Sequence, residues 1–247
     1  MAVLVTRPAP ENLTTAASLA ARGFDVLLSP MLIYQALPLR DDPEARYSGT
    51  IVTSANALRA VAGHPLVARL IRLPLFAVGQ QTARSAKELG FAKIVEAGGH
   101  ALSLRDSVMA HDATATAKAP WLYLAAADVS RDLAAELRAR NVPVATRQVY
   151  RMAMAQSFPA EVVDALARQE VEVVLHYSRR SAEAFIAAAR QAGLEISALA
   201  LPQCCLSERI AQALREAGSS RVAVASEPRE EALLTVLERT AGLSRRT

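Results

Sequence analysis

Short apolar runs alternate along the chain with longer segments in which apolar residues recur every three or four positions. The runs are rich in Val, Leu and Ile, which is typical of parallel strands buried on both faces, and the longer segments have the spacing of amphipathic helices. The pattern predicts an α/β fold. Ten strands are predicted, at residues 2–6, 25–33, 49–53, 73–78, 93–97, 121–125, 144–152, 171–178, 203–207 and 221–225.

Caps and turn residues mark several of the predicted helices. Ser207 is the expected cap of a helix that ends at Gly218, and Ser226 is the expected cap of the last helix. A further helix is predicted from near Ser130 to Asn141.

The two halves of the sequence resemble each other weakly. Residues 76–90 match residues 203–218 in layout, and residues 53–60 match residues 177–184, each as a strand, a polar turn and a helix. The repetition suggests two α/β domains of related design, although any two strand–helix units share much of this layout.

Two segments are long, β-branched or aromatic, and polar enough to be exposed on one side: residues 29–39 and 144–154. They are predicted to pair as a linker between two domains. The predicted fold is therefore two parallel-sheet α/β domains joined by a two-stranded linker, with an interdomain cleft. One domain comprises residues 1–34 and 150–247, and the other, inserted between them, comprises residues 35–149. Clefts between domains are common places for small-molecule sites.

Composition narrows the possible partners. The formal charge is +4, carried almost entirely by dispersed arginines, and aromatic residues make up only 4% of the chain. This argues against nucleic acid, which usually needs a basic stripe with interleaved aromatics. No apolar run is long enough to span a membrane and no export leader is evident, so a cytoplasmic protein is expected. The adjacent Cys204 and Cys205 are expected to be buried apolar residues.

Several catalytic motifs are absent from the sequence. There is no Gly-rich phosphate loop, no Gly-x-Ser-x-Gly nucleophile turn and no pair of histidines at helical spacing. The four scattered histidines are expected to be surface or structural residues. These absences argue against ATP, nicotinamide cofactors and a catalytic metal.

Small hydroxyl residues or glycine occur where the predicted strands end. In open parallel sheets, ligands bind outside these carboxyl ends, where backbone N–H groups of the following helices are also available. Each residue can equally be a helix cap or turn residue, and the two roles are compatible. The pattern suits a polyanion held by many modest hydrogen bonds. The residues are Thr6, Ser29, Thr53 with Ser54, Gly79, Ser178, Ser207 and Ser226.

An ordered set of segments resembles the uroporphyrinogen-III synthase family over nearly the whole chain. The segments are VLVTRP (3–8), FDVLLSPML (24–32), IVTSANAL (51–58), FAVGQQTA (76–83), RQVYRM (147–152) and VLHYSRRSAEAF (174–185). The resemblance implies two α/β domains with the active site in their cleft. It also implies the substrate hydroxymethylbilane, a linear tetrapyrrole with eight carboxylates, the product uroporphyrinogen III, and no cofactor.

The resemblance also implies roles for particular residues. Tyr150 matches a tyrosine thought to assist departure of the substrate hydroxyl, and it is the expected catalytic residue. Arg7 is added as a candidate because it follows a strand end. Where many members have a hydroxyl pair after a Gly-Pro turn, this chain has Ser207, Glu208 and Arg209, so Arg209 is a candidate replacement. The expected substrate-binding residues are Arg7, Thr53, Ser54, Gly79, Thr82, Ser178, Ser181, Ser207 and Arg209.

Two other interpretations remain open at the level of the sequence. One is a non-catalytic tetrapyrrole-binding or regulatory protein of the same fold, and the other is a hinged periplasmic-type binding protein. The first would ordinarily carry an effector domain and the second an export leader. An enzyme is favoured, acting as a monomer on a small molecule, with the upstream bilane-forming enzyme as a candidate partner.

Overall fold

The computed structural model describes residues 2–40, 42–113, 119–128 and 131–244, with side chains described as far as residue 242. The strands are β1 Ala2–Val5, β2 Asp25–Leu28, β3 Leu32–Ala36, β4 Thr50–Val52, β5 Leu75–Ala77, β6 Ile94–Glu96, β7 Trp121–Ala126, β8 Val144–Met154, β9 Val171–His176, β10 Gln203–Cys205 and β11 Val222–Val224. The helices are α1 Glu11–Ala20, α2 Ala55–Val61, α3 Val67–Leu70, α4 Gln80–Glu88, α5 Ala101–Ala113, α6 Leu133–Arg138, α7 Ala160–Ala167, α8 Arg179–Gln191, α9 Glu195–Ala200, α10 Glu208–Glu216 and α11 Glu230–Ser244.

The chain forms two compact units. The first unit combines Met1–Ile33 with Ala153–Thr247, and the second unit is the continuous segment Tyr34–Met152. The chain therefore passes from one unit to the other twice, within β3 and within β8.

The sheet of the first unit has five parallel strands in the order β11-β10-β9-β1-β2. From β1, the chain first adds β2 on one side and later adds β9, β10 and β11 on the other. The order thus reverses between β1 and β9. In open α/β sheets, this reversal leaves a crevice at the carboxyl ends of the two strands, where ligands bind.

The sheet of the second unit has the order β3-β8-β7-β4-β5-β6. Strands β4 to β8 are parallel. Strand β3 is the antiparallel edge, because Leu37 N donates to Val149 O while Ala155 N donates to Met31 O, so the two strands run in opposite directions. Here the order reverses between β4 and β7.

Each sheet separates two hydrophobic cores. In the first unit, Leu4 and Cys205 pack with helices α7 to α10, whereas Val3 and Cys204 pack with α1 and α11. In the second unit, residues such as Leu122 pack with α2 to α4, and alternate residues pack with α5 and α6. This alternation places helices on both faces of each sheet, as the apolar strand sequences predicted.

Strand prediction was correct except at one position. All ten predicted strands are present, but the segment predicted as one strand at residues 25–33 forms two strands, β2 and β3. Pro30 lies at the break, and a proline has no N–H group to donate to a neighbouring strand. The chain leaves the first sheet there and enters the second.

One of the two capping expectations needs correction. Ser207 does stand at the N-cap of α10. Ser226 does not cap the last helix, which begins at Glu230. Pro228 explains this, because the residue before a proline is disfavoured in helical conformation. The helix expected from near Ser130 begins at Leu133 and is capped by Asp132, whose carboxylate accepts from Ala135 N at 2.8 Å. Ser130 lies outside the described residues.

Candidate functional site

A cavity of about 250 Å³ lies in the second unit at the carboxyl ends of β4 and β7, where the strand order reverses. This is the position at which the fold predicts a ligand site. Three of the residues expected from the sequence, Thr53, Ser54 and Tyr150, meet there. The full lining is Thr53, Ser54, Ala101, Tyr123, Ala126, Asp128, Arg131, Leu133 and Tyr150.

Hydroxyl groups from two neighbouring strands meet on one wall of the cavity. Thr53 follows β4, and its Oγ1 lies 3.4 Å from the phenol oxygen of Tyr123 on β7. Ser54 is the N-cap of α2, where its hydroxyl accepts from Asn56 N at 3.2 Å. A capping hydroxyl that accepts this bond still has its own proton to donate to a ligand. Burial raises the pKa of Tyr123, so its phenol stays protonated and can also donate.

Tyr150 lies in the middle of β8 and is held by aromatic stacking. Its ring stacks on Tyr34 of β3, with 5.9 Å between centroids and 24° between planes. The guanidinium of Arg59 lies 3.5 Å from the centre of the Tyr34 ring, in cation–π geometry. Tyr150 is 7% exposed and lines the cavity. The stack fixes the ring plane of the expected catalytic residue.

Arg131 lines this cavity and belongs to a group of charged residues that pair with each other. Arg131 forms an ion pair with Glu136 at 2.5 Å, and Arg105 reaches the same carboxylate at 3.4 Å and Asp106 at 2.7 Å. The hydrogen bond from Arg131 is the main cause that lowers the pKa of Glu136. Two arginines are thus paired with two carboxylates.

Gly79 and Thr82 lie on the neighbouring strand end, after β5. Gly79 is the N-cap of α4 in extended conformation, and a side chain added there would meet Gly99 Cα at 3.5 Å. Thr82 is buried in the first turn of α4. Neither residue lines the cavity at β4 and β7, so the structure places them beside that cavity rather than in it.

Ser178 and Ser181 begin α8 at the carboxyl end of β9 in the first unit. Ser178 Oγ accepts from Ser181 N at 3.1 Å, and the two hydroxyl oxygens are 2.8 Å apart. Ser181 is fully buried. Ser178 therefore acts as a helix cap, which is one of the two roles that its position at a strand end allowed.

Arg7 follows β1 in the first unit and is engaged within the chain. Its Nη1 donates to Glu230 Oε2 at 2.7 Å and to Thr15 Oγ1 at 3.0 Å. Its guanidinium lies 4.6 Å from the ring centre of Tyr177. From the sequence, Arg7 is a candidate without known partners. In the structure it contacts Glu230, Thr15 and Tyr177.

Ser207 and Arg209 lie at the start of α10 in the first unit. Ser207 occupies the N-cap, but its side chain accepts no capping hydrogen bond from a described residue. Arg209 is exposed in the first turn of the same helix.

Buried histidine and cysteine side chains serve packing. His176 and both cysteines are fully buried, as expected for structural residues. Burial raises the pKa of Cys204 to about 11 and that of Cys205 to about 12, which keeps both thiols neutral. Within the described ranges, no group of three or more His, Cys, Asp or Glu side chains could hold a metal ion. No helix in the described part of the chain is long and apolar enough to cross a membrane.

Each unit is an open α/β sheet with hydroxyl-bearing turns at its carboxyl edge, which places the protein in the class of open-sheet α/β proteins, whose ligands bind at the strand ends. A family model described as uroporphyrinogen-III synthase HemD matches residues 14–235. The chain belongs to the uroporphyrinogen-III synthase family. It is a cyclising lyase of haem biosynthesis, and its family acts on a small-molecule tetrapyrrole.

Solved structures of the same family have this fold. The uroporphyrinogen-III synthetase of Helicobacter pylori is similar with a TM-score of 0.64 and 18% identity, over 96% of this chain and 98% of that chain. A mutant uroporphyrinogen III synthase of Thermus thermophilus is similar with a TM-score of 0.54 and 18% identity, over 98% and 99% of the two chains. A comparison with curated proteins finds no match.

Proposed function

We propose that this chain closes hydroxymethylbilane to uroporphyrinogen III, with inversion of ring D and release of water. The observation that carries the proposal is the cavity at the reversal point between β4 and β7. It brings Tyr150 together with the hydroxyls of Thr53, Ser54 and Tyr123 in one small space. These neutral donors suit a reaction that begins with the departure of a hydroxyl group.

Tyr150 assists the first step. Its phenol donates a hydrogen bond to the oxygen that leaves ring A, and the substrate becomes an electrophilic azafulvene. Ring D attacks through its substituted carbon to give a spiro intermediate, which fragments and recloses with that ring reversed. The stacked ring of Tyr34 keeps the Tyr150 phenol from turning away from the cavity. Because the bilane also closes unaided to the uninverted isomer, the protein must select one folded conformation of the substrate.

The substrate carboxylates are bound by many modest donors at the strand ends. Capping hydroxyls such as Ser54 and Ser178 accept a backbone N–H and donate their own proton to a carboxylate. At the start of α10, exposed Arg209 supplies a positive charge. The hydroxyl of Ser207, which makes no capping hydrogen bond, can donate to the substrate. The full set of proposed binding residues is Arg7, Thr53, Ser54, Gly79, Thr82, Ser178, Ser181, Ser207 and Arg209.

The proposed reaction needs no cofactor, because loss of water and carbon–carbon bond closure are balanced within the substrate. We propose a cytoplasmic monomer. The upstream bilane-forming enzyme is the proposed partner, since its product closes spontaneously to the wrong isomer if it is not captured.

A coupled assay tests the proposed function. Hydroxymethylbilane is generated in situ, this protein is added, the products are oxidised, and the uroporphyrin isomers are separated by chromatography. A sample without the protein gives the type I isomer from spontaneous closure. Predominantly type III isomer is expected with the protein. Type I alone, from a protein shown to be folded by circular dichroism, would overturn the catalytic proposal and favour a binding protein.

A further inference from the structure

We propose that Arg7, Thr15 and Tyr177 form a carboxylate cradle in the first unit, which Glu230 fills until a substrate carboxylate takes its place. The inference rests on the proposed function, because it takes hydroxymethylbilane, with its eight carboxylates, as the ligand. Glu230 is then an internal competitor of the substrate.

The cradle satisfies both oxygens of one carboxylate. Arg7 Nη1 donates to Glu230 Oε2 at 2.7 Å. Thr15 Oγ1 donates to Oε1 at 2.5 Å, and the Tyr177 phenol donates to Oε1 at 3.2 Å. Arg7 also donates to Thr15 Oγ1 at 3.0 Å, which ties two of the donors together. Hydrogen bonds to an ionised carboxylate, such as the one from Arg7, are stronger than those between neutral groups.

The three donors belong to elements around the reversal point of the first sheet. Arg7 follows β1 closely and Tyr177 follows β9 directly, and the strand order reverses between these two strands. Thr15 comes from α1, which follows β1 in the chain. The cradle therefore occupies the place at which an open α/β sheet ordinarily receives a ligand.

Glu230 reaches the cradle from a distant part of the sequence. It is the first residue of α11 and is preceded by exposed, non-helical residues 226–229. Its side chain is 31% exposed, and that of Arg7 is 25% exposed. The ion pair is thus partly accessible to solvent, where a ligand carboxylate could reach it.

The protonation states favour exchange of one carboxylate for another. Burial alone would raise the pKa of Glu230, but hydrogen bonds from Thr15 and Arg7 outweigh it and hold the pKa below its ordinary value. Burial raises the pKa of Tyr177, so its phenol remains a donor. Replacing the Glu230 carboxylate with an ionised substrate carboxylate keeps all three hydrogen bonds and the charge balance.

Opposite effects of the two partners distinguish this cradle from a structural ion pair. Loss of the Glu230 charge removes a competitor and strengthens binding, whereas loss of the Arg7 charge removes a donor and weakens it. If the pair only held α11 to α1 and β1, both substitutions would act in the same direction. Glu231 is exposed beside Glu230, so Glu231→Gln is a matched control for the loss of one negative charge.

The test measures binding of uroporphyrin III, an octacarboxylate, by fluorescence titration of the whole protein. Glu230→Gln is expected to lower the Kd by about fivefold, because Glu230 then no longer occupies the cradle in most of the protein molecules. Arg7→Gln is expected to raise the Kd by about tenfold, and Glu231→Gln to change it by less than about twofold. Circular dichroism verifies the fold of each variant, and Glu230→Asp, whose carboxylate is one methylene shorter, replaces Glu230→Gln if that variant does not fold.

Several results would overturn the cradle. These are equal effects of the substitutions at Glu230 and Glu231, weaker binding by Glu230→Gln, or no binding of uroporphyrin III by the unaltered protein. The isomer assay keeps the two proposals separate. Production of type III isomer together with equal Glu230 and Glu231 effects rejects only the cradle, whereas type I product with tighter binding by Glu230→Gln rejects only the catalytic proposal.

Discussion

His176 is enclosed at the end of the central strand β9, and its protonation state follows from its neighbours. Gln203 Nε2 donates to two backbone carbonyls, of Ala198 and Leu201. The Gln203 Oε1, 2.8 Å from His176 Nε2, must therefore accept. The imidazole is neutral with its proton on Nε2, and burial lowers its pKa to about 4.

The buried imidazole predicts that stability falls in mild acid. The folded-state pKa of His176 is below the unfolded value of about 6.5, so its contribution is present above pH 6.5 and is lost as the pH falls toward 4. The free energy of unfolding is expected to fall by about 3 kcal/mol over this range because of this residue. Urea unfolding at pH 7 and pH 4.5 measures it.

Two substitutions identify the source of this pH dependence. His176→Gln is expected to reduce the pH dependence of stability, since the variant has no imidazole to protonate. His100→Gln, at an exposed histidine, is expected to retain it. An equal pH dependence in the two variants would contradict the assignment.

Tyr150→Phe is expected to lower the rate of type III formation by roughly 100-fold, because the leaving hydroxyl loses a hydrogen-bond donor. The fold should be retained, since the stacking on Tyr34 needs the ring and not the phenol. The coupled isomer assay measures the rate. Tyr47→Phe, the same change in the second unit away from this cavity, is the matched control. An unchanged rate in Tyr150→Phe would remove Tyr150 from the mechanism.

The residues that could be predicted from the sequence are those whose role follows from local position. Thr53 and Ser54 could be selected as candidates because they stand at the end of a predicted strand. Tyr123 was missed because it lies inside an apolar run that is typical of a core strand, although its hydroxyl emerges at the cavity. Glu230 was missed as a partner of Arg7 because 223 positions separate them, and no local pattern encodes that contact.

At the scale of single helices, two serines at N-cap positions differ in whether they make a capping hydrogen bond. Ser178 caps α8 by accepting a hydrogen bond from Ser181 N, whereas Ser207 stands at the cap of α10 without such a bond within the described chain. Ser178→Ala is therefore expected to lower the free energy of unfolding by about 1 kcal/mol. Ser207→Ala is expected to change it by less than about 0.5 kcal/mol.

The alanine variants of the same two serines should also differ in their effects on substrate binding. If Ser207 donates its unused hydroxyl to the substrate, Ser207→Ala raises KM while stability is nearly unchanged. Ser178→Ala is expected to affect both. Urea unfolding and the coupled assay measure the two quantities, and a large loss of stability in Ser207→Ala would show that its hydroxyl does serve the helix.

Strands were easier to predict than their limits because burial on both faces leaves a clear apolar run. Two of the element limits that differ from the prediction involve a proline. Pro30 divides a run that reads as one strand, and Pro228 delays the last helix beyond Ser226. Apolar periodicity gives the type of an element, whereas backbone restrictions at single residues decide where it begins and ends.

At the scale of the whole molecule, the buried cores divide between the two units. Trp121, the single tryptophan of the chain, is fully buried in the second unit and donates to Asp112 at 3.0 Å. Its fluorescence therefore reports on the second unit, whereas far-ultraviolet circular dichroism reports on both.

Gly49→Ala is expected to destabilise the second unit by about 2 kcal/mol, because the new Cβ would overlap the Trp121 ring and lie 2.7 Å from Pro74 O. The transition followed by tryptophan fluorescence should move to lower urea. Gly63→Ala is the control, since a Cβ there meets no atom within 4 Å. Equal transitions in the two variants would show that the structure around Gly49 relaxes without cost.

The insertion of one unit within the other has a consequence for synthesis on the ribosome. Strand β1 pairs with β2 and with β9, and β9 is made about 140 residues after β2. At ordinary translation rates this delay is roughly 7 to 30 s, during which all of the continuous segment Tyr34–Met152 emerges. The second unit should therefore fold before the first. Until β9 is translated, strand β1 can pair with β2 on one side only.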